Sequence, residues 1–144
     1  MSLAMSKSER ETFLAGTHVG ILSVAHPGRG PLAVPVWYDY PPGKDVRIVT
    51  GSGSRKMPLL REANRASLCV QIETPPYRYV TVEGPITIGR PDFARDVRQV
   101  ALRYLGDQMG EAYLQATTAE HETALLVSLR PVRWLSADFS RWGV

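Results

Sequence analysis

The chain has one cysteine, Cys69, in 144 residues. A lone thiol excludes any intrachain disulfide and any cysteine-built zinc centre. Set in the apolar run Leu68-Cys69-Val70, it reads as a buried packing thiol. Long hydrophobic runs are missing too. Nothing approaches the roughly 20 consecutive apolar residues of a membrane-spanning helix, and the N-terminal stretch lacks the apolar core of a secretory signal. A cytoplasmic protein with no membrane partner is expected. Charge of one sign is also in short supply. Seventeen Lys and Arg against 14 Asp and Glu leave a formal net charge of +3, with the cations scattered among acids. Nucleic-acid binders concentrate their cations on one stripe. No nucleic-acid partner is therefore expected, and a local site for a small anion suits the balance better. His18, His26 and His121 do not pair at i, i+4, so no metal-binding helix of the His-Glu-x-x-His kind exists and no metal site is expected. Gly-x-Ser-x-Gly and the nucleotide phosphate loop are both absent.

What is present is an ordinary globular composition, 44% hydrophobic, in one domain spanning residues 1–144. Eleven prolines and 12 glycines punctuate it into short elements. Lys7 to Ala15 predicts a helix, with Ser6 and Glu9 or Ser8 and Glu11 as a capping box. Strands are predicted at Val19–Ala25, Leu32–Tyr40, Val46–Thr50, Ala66–Glu73, Tyr77–Ile88 (bent at Gly84-Pro85) and Ala124–Leu129, with Arg133–Ser136 continuing the last beyond Pro131. Pro35 has no N–H to give, which places its strand at an edge. Lys56–Asn64 predicts a short helix with Pro58 in its first turn. From Asp92 to Leu105 the period becomes helical through Phe93, Val97, Val100, Ala101 and Tyr104. After Gly106, Met109, Ala112, Tyr113 and Ala116 share one face and read as core. The sum is a mainly β (α+β) chain, a six-stranded antiparallel barrel with flanking helices. A small barrel has free edges unless it closes or dimerises.

The most informative segment is Val49-Thr50-Gly51-Ser52-Gly53-Ser54-Arg55-Lys56. A strand ends, small residues follow, and a hydroxyl and two cations stand where a helix begins. Helix N-terminal amides carry partial positive charge. Arg offers a planar fork and Lys a point charge, while small residues let a ligand approach the backbone. Phosphate suits all of these. Composition alone reads the turn as a solvated basic turn with an ordinary N-cap.

Ser54-Arg55-Lys56, followed eight residues later by Asn64 and a strand, together with Arg78-Tyr79-Val80-Thr81-Val82-Glu83-Gly84, resembles the pyridoxamine 5′-phosphate oxidase-like FMN-binding split-barrel family. The order of elements from about Phe13 to Trp134 is similar too. The resemblance implies a homodimeric oxidoreductase with a flavin or deazaflavin site at the subunit interface and a small-molecule substrate. Arg55 and Lys56 match residues that hold the cofactor phosphate, and Ser54 precedes them in the same turn. Val49 and Thr50 match a strand end lining the flavin. Val34, Pro35, Val36 and Trp37 match a strand whose backbone faces the ring system. Arg78 and Tyr79 match a pair that approaches the cofactor, although the family often has Gln at the position of Tyr79. The Arg-x-His segment of true pyridoxamine phosphate oxidases is absent, so vitamin B6 oxidation is not expected. Length and a Trp-rich C-terminal end resemble the branch that uses coenzyme F420 in place of FMN. An acidic F420 tail needs further cations, which Arg29, Lys44, Arg61 or Arg78 can supply.

In such an enzyme the cofactor carries the redox chemistry. Tyr79, Tyr38 or bound water stand as proton donors. Trp37 is the best candidate to stack on the ring system, whereas Trp134 and Trp142 suit an interface or core. Two alternatives belong to other classes. One is a non-catalytic carrier, store or sensor of the same cofactor. The other is a barrel binding single strands through Tyr77, Arg78 and Tyr79, against which the modest charge argues.

Overall fold

The period-two segments assemble into one curled antiparallel sheet, seen in a computed structural model that describes residues 2–143. Its strands are β1 (Gly20–Val24), β2 (Leu32–Val36), β3 (Val46–Thr50), β4 (Arg65–Ile72), β5 (Arg78–Gly89), β6 (Leu125–Leu129) and β7 (Arg133–Asp138). Six follow the order β2-β1-β4-β5-β6-β3, and β7 pairs with β5. Pro35 lies on β2, one end of that order, as its missing donor requires.

β7 does continue β6 along the same edge of β5, with a bulge between them. Ile86 faces Leu129 and Glu83 faces Arg133. Arg130, Pro131 and Val132 therefore stand opposite only Gly84 and Pro85. The extra residue is absorbed by two backbone bonds, Arg130 N–H to Pro85 O at 3.0 Å and Val132 N–H to Glu83 O at 2.9 Å. This brings the Arg130 carbonyl so close that a Cβ on Gly84 would stand 1.8 Å from it.

The two ends of the order, β2 and β3, do not zip together. β2 stops at Val36 rather than running to Tyr40, and a single bridge follows, Asp39 N–H to Arg47 O at 2.9 Å and Arg47 N–H to Asp39 O at 2.8 Å. Inside the curl, Leu22, Ile48, Leu68, Val70, Val80, Val82, Val127 and Leu129 are fully buried. Each such side chain contributes about 1.5–3 kcal/mol. Two helices complete this core. α1 (Lys7–Leu14) brings Phe13 and Leu14 and starts with the Ser6–Glu9 capping box; α2 (Lys56–Ala63) brings Met57 and Leu60.

Helices α3 (Gln99–Leu105), α4 (Asp107–Ala116) and α5 (Thr118–Glu122) sit between β5 and β6 in sequence. A π-helical turn, Phe93–Arg98, precedes α3. Val97, Ala101 and Leu114 form a second buried cluster, packed against Trp37, Val49 and Tyr113. Of the apolar face expected on α4, Tyr113 packs against this cluster, whereas Met109, Ala112 and Ala116 are exposed. Met109 is 61% exposed, and the buried residues are Gly110 and Leu114. α4 packs closely on α3 through Gly110, where a Cβ would meet Leu102 Cδ2 at 2.7 Å. That contact turns the Met109 stripe outward.

Cys69 is also not in the core. It is half-buried, because strand alternation sends Leu68 and Val70 inward and Cys69 to the outer face. There Pro35, Ile21, Cys69, Thr81 and Leu135 form one row across β2, β1, β4, β5 and β7. Ile21 is 40% and Leu135 61% exposed. This row is uncharged, and the next one on the same face carries Ser23, Ser67, Glu83 and Arg133. Among the described residues, no helix is long and apolar enough to cross a membrane, and no cluster of His, Cys, Asp and Glu could hold a metal ion.

Candidate functional site

Where β2 and β3 part, they leave a cleft of about 480 Å³ lined by Val19, Pro35, Val36, Trp37, Val49, Thr50, Gly51, Lys56 and Tyr113. Its polar end is made by the connection from β3 to α2. Ser54 N–H closes a turn on Gly51 O at 3.1 Å, and the Ser54 and Thr50 hydroxyls are 3.2 Å apart. Arg55, not Ser54, occupies the cap position of α2. Its backbone is already helical and no side chain caps the first turn. Lys56 then points into the cleft wall. It is half-buried, and burial pushes its ammonium pKa below the usual lysine value. No carboxylate lies within ion-pair distance of it among the described residues. A desolvated cation without an anion is costly, and an anionic ligand would relieve that cost.

The apolar end is aromatic. Trp37 stacks on Tyr104 at 5.1 Å and 9° and tilts against Tyr113 at 5.3 Å. Its position is fixed from behind. The Tyr104 hydroxyl donates to His18 O at 2.6 Å and accepts from Tyr38 N–H at 3.2 Å. Arg103 donates to Tyr38 O at 2.7 Å and to Asp39 Oδ1 at 3.1 Å. Below this wall, Asp96 accepts from Arg47 Nε and Nη2, both at 2.8 Å, and from Asp92 N–H at 2.8 Å. This ties the π-helical turn to β3.

Of the residues singled out in the sequence, Pro35, Val36, Trp37, Val49, Thr50 and Lys56 line this cleft. Ser54 touches it through Thr50, and Arg55 is exposed beside it. Val34 packs instead against the barrel core. Arg78 and Tyr79 do not join the cleft within one chain. Arg78 lies over the Phe13 ring at 5.0 Å, in a separate pocket with Glu9, His18 and Asp138. Tyr79 is on the outer sheet face, 6.4 Å from Phe139. Tyr38 is buried, with its hydroxyl donating to Leu14 O at 2.6 Å. That hydroxyl is turned to Leu14 O and Gly16 O, and Tyr38 is not among the residues lining the cleft; burial raises its phenol pKa far above the ordinary value. Lys56 is the one cation among the lining residues; Arg29, Lys44, Arg61 and Arg78 are elsewhere. Val19, Gly51 and Tyr113 also line the cleft. Only Gly51 carried a signal, its place in the small-residue loop.

No family model and no curated protein matches the chain. Solved structures do. A conserved hypothetical protein of Mycobacterium tuberculosis, Rv2991, aligns with a TM-score of 0.80 at 24% identity over 99% of this chain and 91% of its own. A structure named F420 reductase aligns with a TM-score of 0.63 at 18% identity over 87% of this chain and 94% of its own. An FAD and heme binding protein of Mycobacterium smegmatis aligns with a TM-score of 0.68 at 18% identity over 94% of this chain and 72% of its own.

Proposed function

We propose that this chain, whose fold is the pyridoxamine 5′-phosphate oxidase-like split barrel, is an oxidoreductase that holds FMN or coenzyme F420 in the cleft between β2 and β3. When bound, either cofactor would supply hydride transfer to or from a small organic substrate. The observation that carries the reading is Lys56, a half-buried cation without a protein anion at the mouth of a helix. The residues present fit the group. The cleft volume falls in the range of cofactor sites. Lys56, the Thr50 and Ser54 hydroxyls and the exposed Arg55 suit a phosphate. Trp37 and Val49 suit a flat ring. Gly51 leaves the loop open, with nothing within 4 Å of where a Cβ would stand. The named cofactors of similar folds, F420 in one and FAD in another, support this reading.

Arg55→Ala with Lys56→Ala is expected to weaken binding of the cofactor about 100-fold or more, the loss of two charge-assisted contacts of about 1.5 kcal/mol or more each. Stability should stay within about 0.5 kcal/mol, since neither cation has an ion-pair partner in the fold. Fluorescence titration with FMN and with F420 reads the first, urea unfolding the second. Unchanged affinity would remove the phosphate from this turn. Cofactor binding without turnover of any electron acceptor would make the protein a carrier, store or sensor.

The site is proposed to be completed by a second copy. Pro35 belongs both to the cleft and to the uncharged outer row through Ile21 and Leu135. A partner laid on that face would cover the cleft mouth, and Tyr79 stands on the same face. Ile21→Asp with Leu135→Arg is expected to halve the mass in sedimentation equilibrium and to weaken cofactor binding. A wild-type monomer would sink this part of the proposal.

A further inference from the structure

A second pocket, of about 460 Å³, is distinct from the cleft. The two share no lining residue, although His18 lines the one and Val19 the other. Its volume is in the range of small-molecule sites. Phe13 anchors two of its neighbours. His18 stacks on the Phe13 ring at 4.6 Å and 23°, and the Arg78 guanidinium lies 5.0 Å from the ring centroid. His18 Nε2 donates to Phe13 O at 3.0 Å. Burial nevertheless holds its pKa below the usual histidine value, so at neutral pH the imidazole adds no charge.

Three charged residues line the pocket: Glu9, Arg78 and Asp138. Glu9 already has its partners. It accepts from Ser6 N–H at 2.8 Å and from Arg141 at 2.7 Å, and these bonds hold its carboxyl at about 2. Arg78 and Asp138 are direct partners across β5 and β7, where Cβ atoms stand about 4.5–5.5 Å apart. Yet no ion pair joins them, and Arg78 has none with any described residue. Arg78 lies over Phe13 instead. Asp138 Oδ1 accepts from the Ser140 hydroxyl and from Ser140 N–H at 3.0 Å, which keeps the carboxylate ionised and leaves Oδ2 over. Arg78 shares the strand face of buried Val80, and Asp138 that of Ser136 opposite it. Both are thus on the face opposite the Ile21–Leu135 row. A lone anion drawn to Arg78 would be repelled by Asp138 and Glu9. A lone cation would meet the reverse.

We propose that this pocket is a second ligand site, for a free α-amino acid, whose carboxylate pairs with Arg78 and whose ammonium pairs with Asp138. An α-amino acid carries both charges on one carbon, which suits a cation and an anion set opposite each other but not joined. The guanidinium fork matches a carboxylate with two parallel bonds, and Asp138 Oδ2 is an acceptor for the ammonium. The remaining volume takes the side chain.

Calorimetric titration of the full chain with L-leucine, L-glutamine and L-phenylalanine tests this. At least one should bind with a dissociation constant below about 1 mM. The corresponding acid without the amino group and the amine without the carboxyl group should each bind about tenfold or more weaker, having lost one charge-assisted contact. Arg78→Gln should weaken the amino acid by as much while leaving FMN and F420 affinity unchanged, and saturating FMN or F420 should not displace it. No binding of any of the three amino acids would overturn the proposal. So would an acid that binds as tightly as its amino acid, since the pocket would then read only a negative charge. Displacement by either cofactor, or an Arg78→Gln protein that loses cofactor rather than amino acid, would assign Arg78 to the cofactor site instead. Should the variant not fold, the comparison of amino acid, acid and amine on the wild type decides the matter.

Discussion

Gly84→Ala is expected to cost about 3 kcal/mol or more, the upper end for an overpacked site. The added Cβ would sit 1.8 Å from Arg130 O and 2.9 Å from Arg130 C. Both are backbone atoms and cannot rotate away. Moving them means breaking the bonds from Arg130 N–H to Pro85 O and from Val132 N–H to Glu83 O, which hold β6 and β7 in their shifted registers. A loss of this size is a large part of the 5–15 kcal/mol that keeps a typical domain folded. Gly53→Ala is the matched control. It meets nothing within 4 Å, and a surface change of this kind stays within about 0.5 kcal/mol. Urea unfolding of the two variants should separate them widely. A Gly84→Ala protein as stable as the control would mean that the chain does not cross β5 at this point.

Asp96→Asn is expected to cost about 3 kcal/mol, the lower end for breaking a buried pair by removing one partner. The Asp96 side chain is 1% exposed and that of Arg47 21%. Arg47 therefore recovers some hydration when its partner goes, which keeps the loss from the top of the range. Burial alone would push the Asp96 carboxyl up. The Arg47 bonds and the Asp92 N–H outweigh it and hold its pKa below the ordinary value. A carboxyl depressed in the fold adds stability that is complete above its unfolded pKa, near 4, and is lost as pH falls through the lower folded value. Unfolding curves from about pH 7 to pH 3 should show that acid limb in the wild type and a shallower one in the Asn variant. The variant should also bind cofactor less well, because the pair seats Val97 and the helices that pack on Trp37 and Val49. A variant that matches the wild type at both ends of the pH range would show that the pair contributes nothing net.

The parts of this molecule that were legible in the sequence are those governed by neighbours along the chain. Alternation in Val46–Thr50, the Ser6–Glu9 box and the edge position of Pro35 are all local consequences of residue type. So was the Thr50–Lys56 turn, since small residues and cations at a helix start need no tertiary knowledge. What was not legible depends on how elements pack. Met109 and Ala112 have the helical spacing of a core face, but a single close contact at Gly110 rotates α4 and exposes them. Cys69 sits in an apolar run, yet in a sheet buried on one face the run still alternates. Tyr113 lies 57 positions beyond Lys56 and reaches the same cleft only because α4 folds back over β3. Arg47 and Asp96, 49 positions apart, gave no sign of one another. Arg78 and Tyr79 do not reach the cleft within one chain, because the strand that carries them runs to another part of the barrel.

The pairing of β3 sets an order on how this protein can be made. In the ladder, Val46 meets Leu129 and Thr50 meets Leu125, partners 83 and 75 positions apart. β1 and β2, or β4 and β5, find each other across a turn as soon as both have been synthesised. β3 must wait through α3 and α4 for its partner β6, and long loops close slowly. One wall of the cleft therefore has no sheet to belong to until residues 125–129 have left the ribosome. A nascent or truncated chain ending before Leu125 can form hairpins, but it has nowhere to put a cofactor.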